Sequence, residues 1–284
     1  LFTEEQAFSL LKRKILIDRG LDCEQYKESY LKRRLAIRLR VTDSSDYMDY
    51  LRVLREDPDE YTHLLDELTI NVTQFFRDKD VYAKIRDEVI PAVLKAKAET
   101  GSRSLRVWSA GCASGEEPYS VAILIAYRLG RAIDDWNVRV LGSDIDDKSL
   151  RLAREGVYPE TEIPAGMNPG VYFDSPETGE EGAYRVRESI RKRVRFEKAD
   201  ILEESRRRHF DLVLCRNVLI YFSRDVQARI VRCLASNLIK GGYLVLGKSE
   251  VISREAEQPF KVVFPRERIF QLFPAKAVGP GGHR

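Results

Sequence analysis

Cysteine and histidine are scarce in this chain, with four cysteines and three histidines among 284 residues. Cys23, Cys112, Cys215 and Cys233 form no C-x-x-C pair, and His63, His209 and His283 are scattered. Neither a disulfide frame nor a zinc site is indicated, and no metal is expected. Long apolar runs are missing as well. The longest, Val121 to Tyr127, falls far short of the roughly 20 residues that span a bilayer. With no secretory pattern at the N-terminal stretch, a cytoplasmic protein without membrane insertion is expected. An excess of one charge is absent too: 48 Lys+Arg against 45 Asp+Glu leave +3, so no global field selects nucleic acid or a membrane surface. Electrostatic recognition must then come from local clustering. What the chain does have is bulk, since 43% hydrophobic residues over this length can bury a full core and furnish two domains.

The most informative stretch is Val107-Trp108-Ser109-Ala110-Gly111-Cys112-Ala113-Ser114-Gly115-Glu116-Glu117-Pro118-Tyr119-Ser120. An apolar run, Leu105 to Trp108, breaks into a small-residue turn, and an apolar-periodic segment too long for a strand, Val121 to Leu129, follows. This reads as strand, glycine turn, helix, the place where nucleotide-like cofactors meet the carboxyl edge of an open α/β sheet. The turn has neither the G-x-G-x-x-G spacing of a dinucleotide site nor the Gly-Lys pair of a phosphate loop. It offers Glu116 and Glu117 instead, which repel phosphate and suit a cationic, hydroxyl-rich ligand. S-adenosylmethionine, with a sulfonium, an ammonium and a ribose diol, is such a ligand. A plain tight turn whose glutamates complement the helix dipole accounts for the same residues.

From Phe2 to about Ile70 the pattern is helical, broken at Arg19-Gly20 and Asp57-Pro58. The helix near Gln25 to Arg40 sets Lys27, Arg34 and Arg38 within about 40° of one another. Arg33 and Arg40 form a second basic stripe, and Leu31, Leu35 and Leu39 face the core. The first stripe reads either as a solvated face or as a docking surface for an acidic partner; no nucleic-acid module accompanies it. Asn71 to Asp78 reads as a helix start, with Thr73 as cap and Phe75 and Phe76 in the core. A helix from Lys79 to Glu99, interrupted near Pro91, and a polar hinge follow. The expected division is a helical domain over residues 1–77, a linker helix and hinge over 78–104, an α/β domain over 105–274, and a mobile tail over 275–284.

Strand and helix alternate in the third of these segments, which argues for a parallel sheet covered on both faces. Val138 to Gly142 is a strand ending at Ser143-Asp144, where Asp144 can accept hydrogen bonds from a ribose diol. Asp147 reads as the cap of the helix Lys148 to Arg154. Residues 156–194, rich in Pro, Gly and Glu, read as an inserted antiparallel flap with short strands at Tyr184 to Val186 and Ser189 to Val194. Val194 to Ile201, Phe210 to Cys215 and Tyr243 to Gly247 continue the sheet, with a helix from Arg224 to Ile239. A hairpin of Phe260 to Phe264 and Arg268 to Phe273 closes it.

The segments N-V-T-Q-F-F-R at 71–77, V-W-S-A-G-C-A-S-G-E-E-P-Y-S at 107–120, S-D-I-D at 143–146 and C-R-N-V-L-I-Y-F at 215–222 occur in the order and at the separations of the CheR family. The sequence thus resembles the chemotaxis receptor glutamate methyltransferases over roughly residues 5–273. The resemblance implies an all-helical N-terminal domain and a Rossmann-like S-adenosylmethionine-dependent methyltransferase domain with a small inserted antiparallel β subdomain. It implies esterification of receptor glutamates for sensory adaptation, with S-adenosylhomocysteine as the second product. It places cofactor contacts at Asn71, Thr73, Arg77, Gly111, Glu117, Asp144, Asp200, Ile201, Asn217 and Val218, with Glu117 favoured over Glu116. Arg77 and Tyr221 are the candidate catalytic residues, although Tyr221 reads equally as packing. Lys27, Arg34 and Arg38 would then dock the cytoplasmic helical bundle of the receptor, and a monomer is expected. An RNA or small-molecule methyltransferase and a non-catalytic S-adenosylmethionine-binding regulator are the alternatives.

Overall fold

The computed structural model describes residues 2–69, 72–165, 167, 169–175, 182–202, 209–253, 256 and 259–273. The chain divides into two compact units, one of Leu1–Ile70 with Tyr221–Gln227, the other of Asn71–Ile220 with Ala228–Arg284. The expected linker over 78–104 is therefore part of the second unit, and the boundary falls at residue 70 rather than 77. The expected tail, 275–284, lies outside the described residues. Among the described residues no helix is long and apolar enough to cross a membrane.

The first unit is built from α1 (Glu4–Arg19), α2 (Glu28–Val41), α3 (Tyr47–Glu56) and α4 (Glu60–Leu68). Thr3 starts α1 with a reciprocal cap: its hydroxyl accepts from Gln6 N at 3.2 Å while Gln6 Oε1 accepts from Thr3 N at 3.0 Å. Such an exchange satisfies amides that the first helical turn leaves unpaired. Gly20, at φ 72°, ends the helix in the left-handed conformation that a residue without Cβ adopts most readily. Leu11, Ile15, Leu31, Leu35, Tyr50 and Leu64 make the buried centre. The segment from Tyr221 completes this unit: Lys27 N donates to Tyr221 O at 2.9 Å and Ser223 N donates to Gln25 O at 3.0 Å.

The second unit opens with α5 (Lys79–Lys84), a π-helical turn (Ile85–Val89) and α6 (Ile90–Glu99). The interruption expected near Pro91 is this wide turn, in which Ile90 N donates to Ile85 O. Pro91 has no N–H and its ring clashes with the preceding turn, so widening the helix just before it relieves the conflict. Thr73 does not begin a helix; α5 begins at Lys79 after Asp78. There follow β1 (Ser104–Ala110), α7 (Glu116–Leu129), β2 (Asn137–Asp144), α8 (Asp147–Glu155), β3 (Val157–Pro159), α9 (Pro169–Tyr172), β4 (Phe173–Asp174), β5 (Ala183–Val186), α10 (Glu188–Arg191) and β6 (Val194–Lys198). The rest is β7 (Phe210–Cys215), α11 (Arg224–Asn237), β8 (Leu238–Leu246), β9 (Phe260–Phe264) and β10 (Ile269–Leu272).

A seven-stranded sheet runs in the order β6-β2-β1-β7-β8-β10-β9. The pairings among β6, β2, β1, β7 and β8 are parallel, and β10 is antiparallel to both its neighbours. The parallel centre reads as buried on both faces, and β7 is buried at every residue. α7 fills one face with Val121, Ala122, Ile123 and Ile125, each almost without exposure. β3, β5 and β4 form a separate three-stranded antiparallel sheet, the expected insertion. Within it, Ser189 to Val194 is not a strand, because α10 occupies Glu188–Arg191. The cap of α8 is Asp146 rather than Asp147, its carboxylate accepting from Lys148 N and Ser149 N. α11 also stops earlier than expected, and β8 runs through Gly241 and Gly242.

Candidate active site

β1 and β7 lie side by side, Val107 opposite Leu212 and Ser109 opposite Leu214, while β2 flanks β1 on its other edge. Strand order therefore reverses between β1 and β7, and the crevice beyond the carboxyl ends at such a switch point is where open α/β sheets bind ligands. The glycine turn sits there. Gly111 has φ +75° and a Cβ on it would lie 2.4 Å from Val218 Cγ2. Only glycine both takes this conformation without strain and admits Val218. Gly111 N and Cys112 N donate to Ser143 O at 2.8 and 3.0 Å, which ties the turn to the end of β2.

Asp144 closes the same turn. Its Oδ2 accepts from Ala113 N at 2.8 Å and its Oδ1 from Asp146 N at 3.0 Å. Burial raises this carboxyl above its ordinary range, and the backbone amides of Asp146 and Ala113 act in the opposite direction. It is half-buried, not the exposed strand-end group that its position in sequence implies.

Glu116 and Glu117 have distinct surroundings. Glu117, 8% exposed, accepts from Ser109 Oγ at 2.9 Å and lies 3.5 Å from Arg216 Nη1. Burial raises its carboxyl while Arg216 and Ser109 favour the ionised form. Glu116 faces Ser114 Oγ at 2.9 Å, and burial pushes it up to about 7. Arg216, which follows β7, bridges Glu117 to Asp78 and stands 5.3 Å from the centre of the Tyr82 ring. Asp78 itself has φ +61°. A guanidinium shared by two carboxylates fixes the 77–78 segment against the end of β7 within this unit.

Asn217, at φ +61°, carries a buried Oδ1 with no hydrogen-bond partner among the described residues. Such an acceptor is free to receive a hydrogen bond from water or from a bound ligand. The neighbouring Val218 packs over Gly111, and the set of Asn217, Asp144 and Glu117 suits a ligand bearing an ammonium and hydroxyls, so the residues present fit S-adenosylmethionine. Arg77 donates from Nη1 to Val72 O at 2.9 Å, and both it and Thr73 are partly exposed. Phe75, between them, packs edge-on against Tyr158 and Phe173 at 4.8 and 5.4 Å. Asp200 and Ile201 follow β6, where Asp200 Oδ1 accepts from Leu202 N at 2.8 Å. Asn71 lies outside the described residues.

Other expected residues are placed differently. Tyr221 belongs to the helical unit, its ring 5.0 Å from that of Tyr30 and packed against the core there. Arg34 pairs with Glu67 at 2.8 Å, and Arg38 binds Glu60 through two bonds of 2.9 and 2.6 Å. Tyr50 Oη donates to the same Glu60 at 2.6 Å. Two members of the expected stripe of Lys27, Arg34 and Arg38 are thus paired with glutamates of their own domain. Sequence reasoning assigned no role to Arg216, although it stands inside the C-R-N segment, or to Asp78, which directly follows Arg77. Among the described residues no cluster of His, Cys, Asp or Glu could hold a metal ion.

Residues 71–269 match the family model described as "CheR methyltransferase, SAM binding domain", and residues 6–69 match "CheR methyltransferase, all-alpha domain". An uncharacterized 104.1 kDa protein of Rhodobacter capsulatus is 36% identical over 246 residues, covering 87% of this chain, which spans 25% of that protein's length. A chemotaxis protein methyltransferase of Listeria monocytogenes is 31% identical over 253 residues, or 89% of this chain and 93% of the relative. Among solved structures, magnesium protoporphyrin IX methyltransferase from Synechocystis PCC 6803 with bound SAM is 18% identical, with a TM-score of 0.37, 69% of this chain and 82% of that one covered. The chain belongs to the CheR methyltransferase family, its S-adenosylmethionine-binding domain preceded by the family's all-alpha domain.

Proposed function

We propose that the protein methylates glutamate side chains of chemotaxis receptors, leaving glutamyl methyl esters and S-adenosylhomocysteine. The observation that carries this reading is the set of groups at the β1–β7 switch point: Asp144 bonded to the turn after Gly111, Glu117 bonded to Ser109 of β1, and the unpartnered Asn217 Oδ1, whose neighbour Val218 packs over Gly111. When bound, S-adenosylmethionine supplies a methyl group whose carbon–sulfur bond breaks, its electron pair going to sulfur, as a carboxylate oxygen bonds the carbon. A glutamate nucleophile is already ionised at neutral pH, so no proton has to move. The protein's residues need only bind, orient and exclude water.

In this reading Asp144 accepts from the ribose diol and Asn217 Oδ1 from the ammonium. Glu117, fixed by Ser109 and Arg216, adds negative charge toward the cationic cofactor. Arg77 has N–H donors beyond the one given to Val72, and these orient the substrate carboxylate as a planar pair. The all-alpha unit presents the receptor-docking surface. The test is transfer of labelled methyl from S-adenosylmethionine to receptor-rich membranes. Label released by mild base supports a carboxyl methyl ester; label in RNA or in small molecules, with none in receptor, would overturn the proposal.

A further inference from the structure

Just past β8, the side chain of Glu250 is buried, at 2% exposure. Its partners are backbone amides. Oε2 accepts from Gly247 N at 2.6 Å and from Asn217 N at 3.0 Å, and Oε1 accepts from Leu219 N at 2.7 Å. One carboxylate thus joins the loop after β7 to the loop after β8, strands that are parallel neighbours with Cys215 opposite Leu246. The packing around it is close: a Cβ on Gly247 would lie 2.8 Å from both Asn217 N and Glu250 Oε2.

The loop held this way is Asn217–Leu219. It needs holding, because Asn217 has φ +61°, a conformation that costs a non-glycine residue energy unless the surroundings impose it. It also bears the unpartnered Asn217 Oδ1 and, next to it in sequence, the Val218 side chain seated over Gly111. We infer that Glu250 is a positioning residue for cofactor binding, a carboxylate template that folds the backbone of Asn217–Leu219 so that Asn217 Oδ1 and Val218 are presented to S-adenosylmethionine. This rests on the reading of Asn217 and Val218 as cofactor contacts. Glu250 itself acts through the loop and touches no reacting atom.

Glu250→Gln is the variant that isolates this role. It keeps shape and volume but replaces one accepting oxygen with an NH2, so whichever way the amide turns, at least one buried backbone N–H faces a donor. Affinity for S-adenosylhomocysteine is measured by calorimetry, and the KM for S-adenosylmethionine and kcat by methyl transfer, below the unfolding midpoints of all variants. The dissociation constant and KM are expected to rise together by about tenfold or more, while kcat at saturating cofactor stays within about twofold of wild type. Unchanged affinity and KM, with or without a lower unfolding midpoint, would mean that Glu250 serves stability alone and would overturn the inference. So would a fall in kcat at constant KM. Should Glu250→Gln fail to fold, Gly247→Ala, whose methyl presses on the same carboxylate and the same amide, is read by the same criteria. Asn217→Ala is the control for the underlying reading. Wild type that does not bind S-adenosylhomocysteine, or Asn217→Ala binding as wild type does, strikes the functional assignment, whereas normal binding by Glu250→Gln beside a weakened Asn217→Ala strikes Glu250 alone.

Discussion

Glu116 and Glu117 are adjacent in sequence, yet only Glu117 has an arginine beside it. Glu116, with a folded-state pKa near 7 against an ordinary 4.5, is held in the protonated form more tightly by the folded protein than by the unfolded chain. Its contribution to stability is therefore complete below pH 4.5 and lost as pH rises through about 7. Glu116→Gln should make no such loss, so the variant should gain unfolding free energy relative to wild type between pH 6 and pH 8, by on the order of 1–3 kcal/mol. Chemical denaturation at the two pH values measures it, and parallel behaviour of the two proteins would refute the assignment. Asp144 calls for a different substitution. Because it accepts from both Ala113 N and Asp146 N, alanine would leave both amides unpaired and confound ligand binding with turn stability. Asp144→Asn retains one acceptor; it should weaken S-adenosylhomocysteine by about 1.5–3 kcal/mol, the range for hydrogen bonds to a charged group. Equal calorimetric affinity in the folded variant would remove Asp144 from the cofactor site. Arg77→Lys keeps the charge but loses the planar fork, so turnover should fall more than cofactor affinity does; the reverse ranking in steady-state kinetics would make Arg77 a cofactor residue only.

Spacing along α2 establishes that Arg34 and Arg38 share a face but not what that face meets. The missing half of the pattern is on α4, where Glu60 and Glu67 stand two turns apart and receive them. With Arg38 side chain 12% and Glu60 side chain 4% exposed, the pair is structural, and Arg38→Ala should destabilise the helical unit by on the order of 3 kcal/mol because a buried carboxylate is left behind. Denaturant unfolding followed by helical circular dichroism reads this directly. The exposed cations of α2 are Arg33 and Arg40. Replacing both with Ala should raise the apparent receptor KM and flatten its salt dependence, since fewer charges then steer encounter; receptor kinetics identical to wild type at low salt would leave α2 without a docking role. Elsewhere legibility followed the local signal. β7 can be bounded to the residue because Phe210–Cys215, apolar but for Asp211, lies between polar neighbours, and β1 and α7 are anchored by the glycine turn between them. Ile190 and Val194 also suit a strand, which hides α10, and Gly241-Gly242 looks like punctuation, which hides the start of β8. Arg216 and Glu250 are not legible in the sequence for one reason: each acts by pairing with groups distant along the chain, and no periodicity records that.

At the scale of the whole chain, alternation of strand and helix was enough to expect a parallel sheet with an antiparallel insertion, and the helical pattern before it was enough to expect a separate all-alpha unit. What no local pattern could show is that this unit also takes in Tyr221–Gln227. The recruited segment pairs its backbone with Gln25 and Lys27, and the Phe222 ring lies 4.9 Å from that of Tyr26. Phe222→Ala should speed hydrogen exchange at the start of α2 while leaving the amides of β1 and β7 protected, since the lost contacts are confined to the helical unit; uniform acceleration throughout the molecule would show instead that the substitution acts on global stability. A chain is made from its N-terminus onward, and domains ordinarily fold as they emerge. Here the helical unit, which precedes the α/β unit along the chain, lacks its last piece until residues 221–227 have been synthesised, so it cannot be completed before most of its successor has emerged.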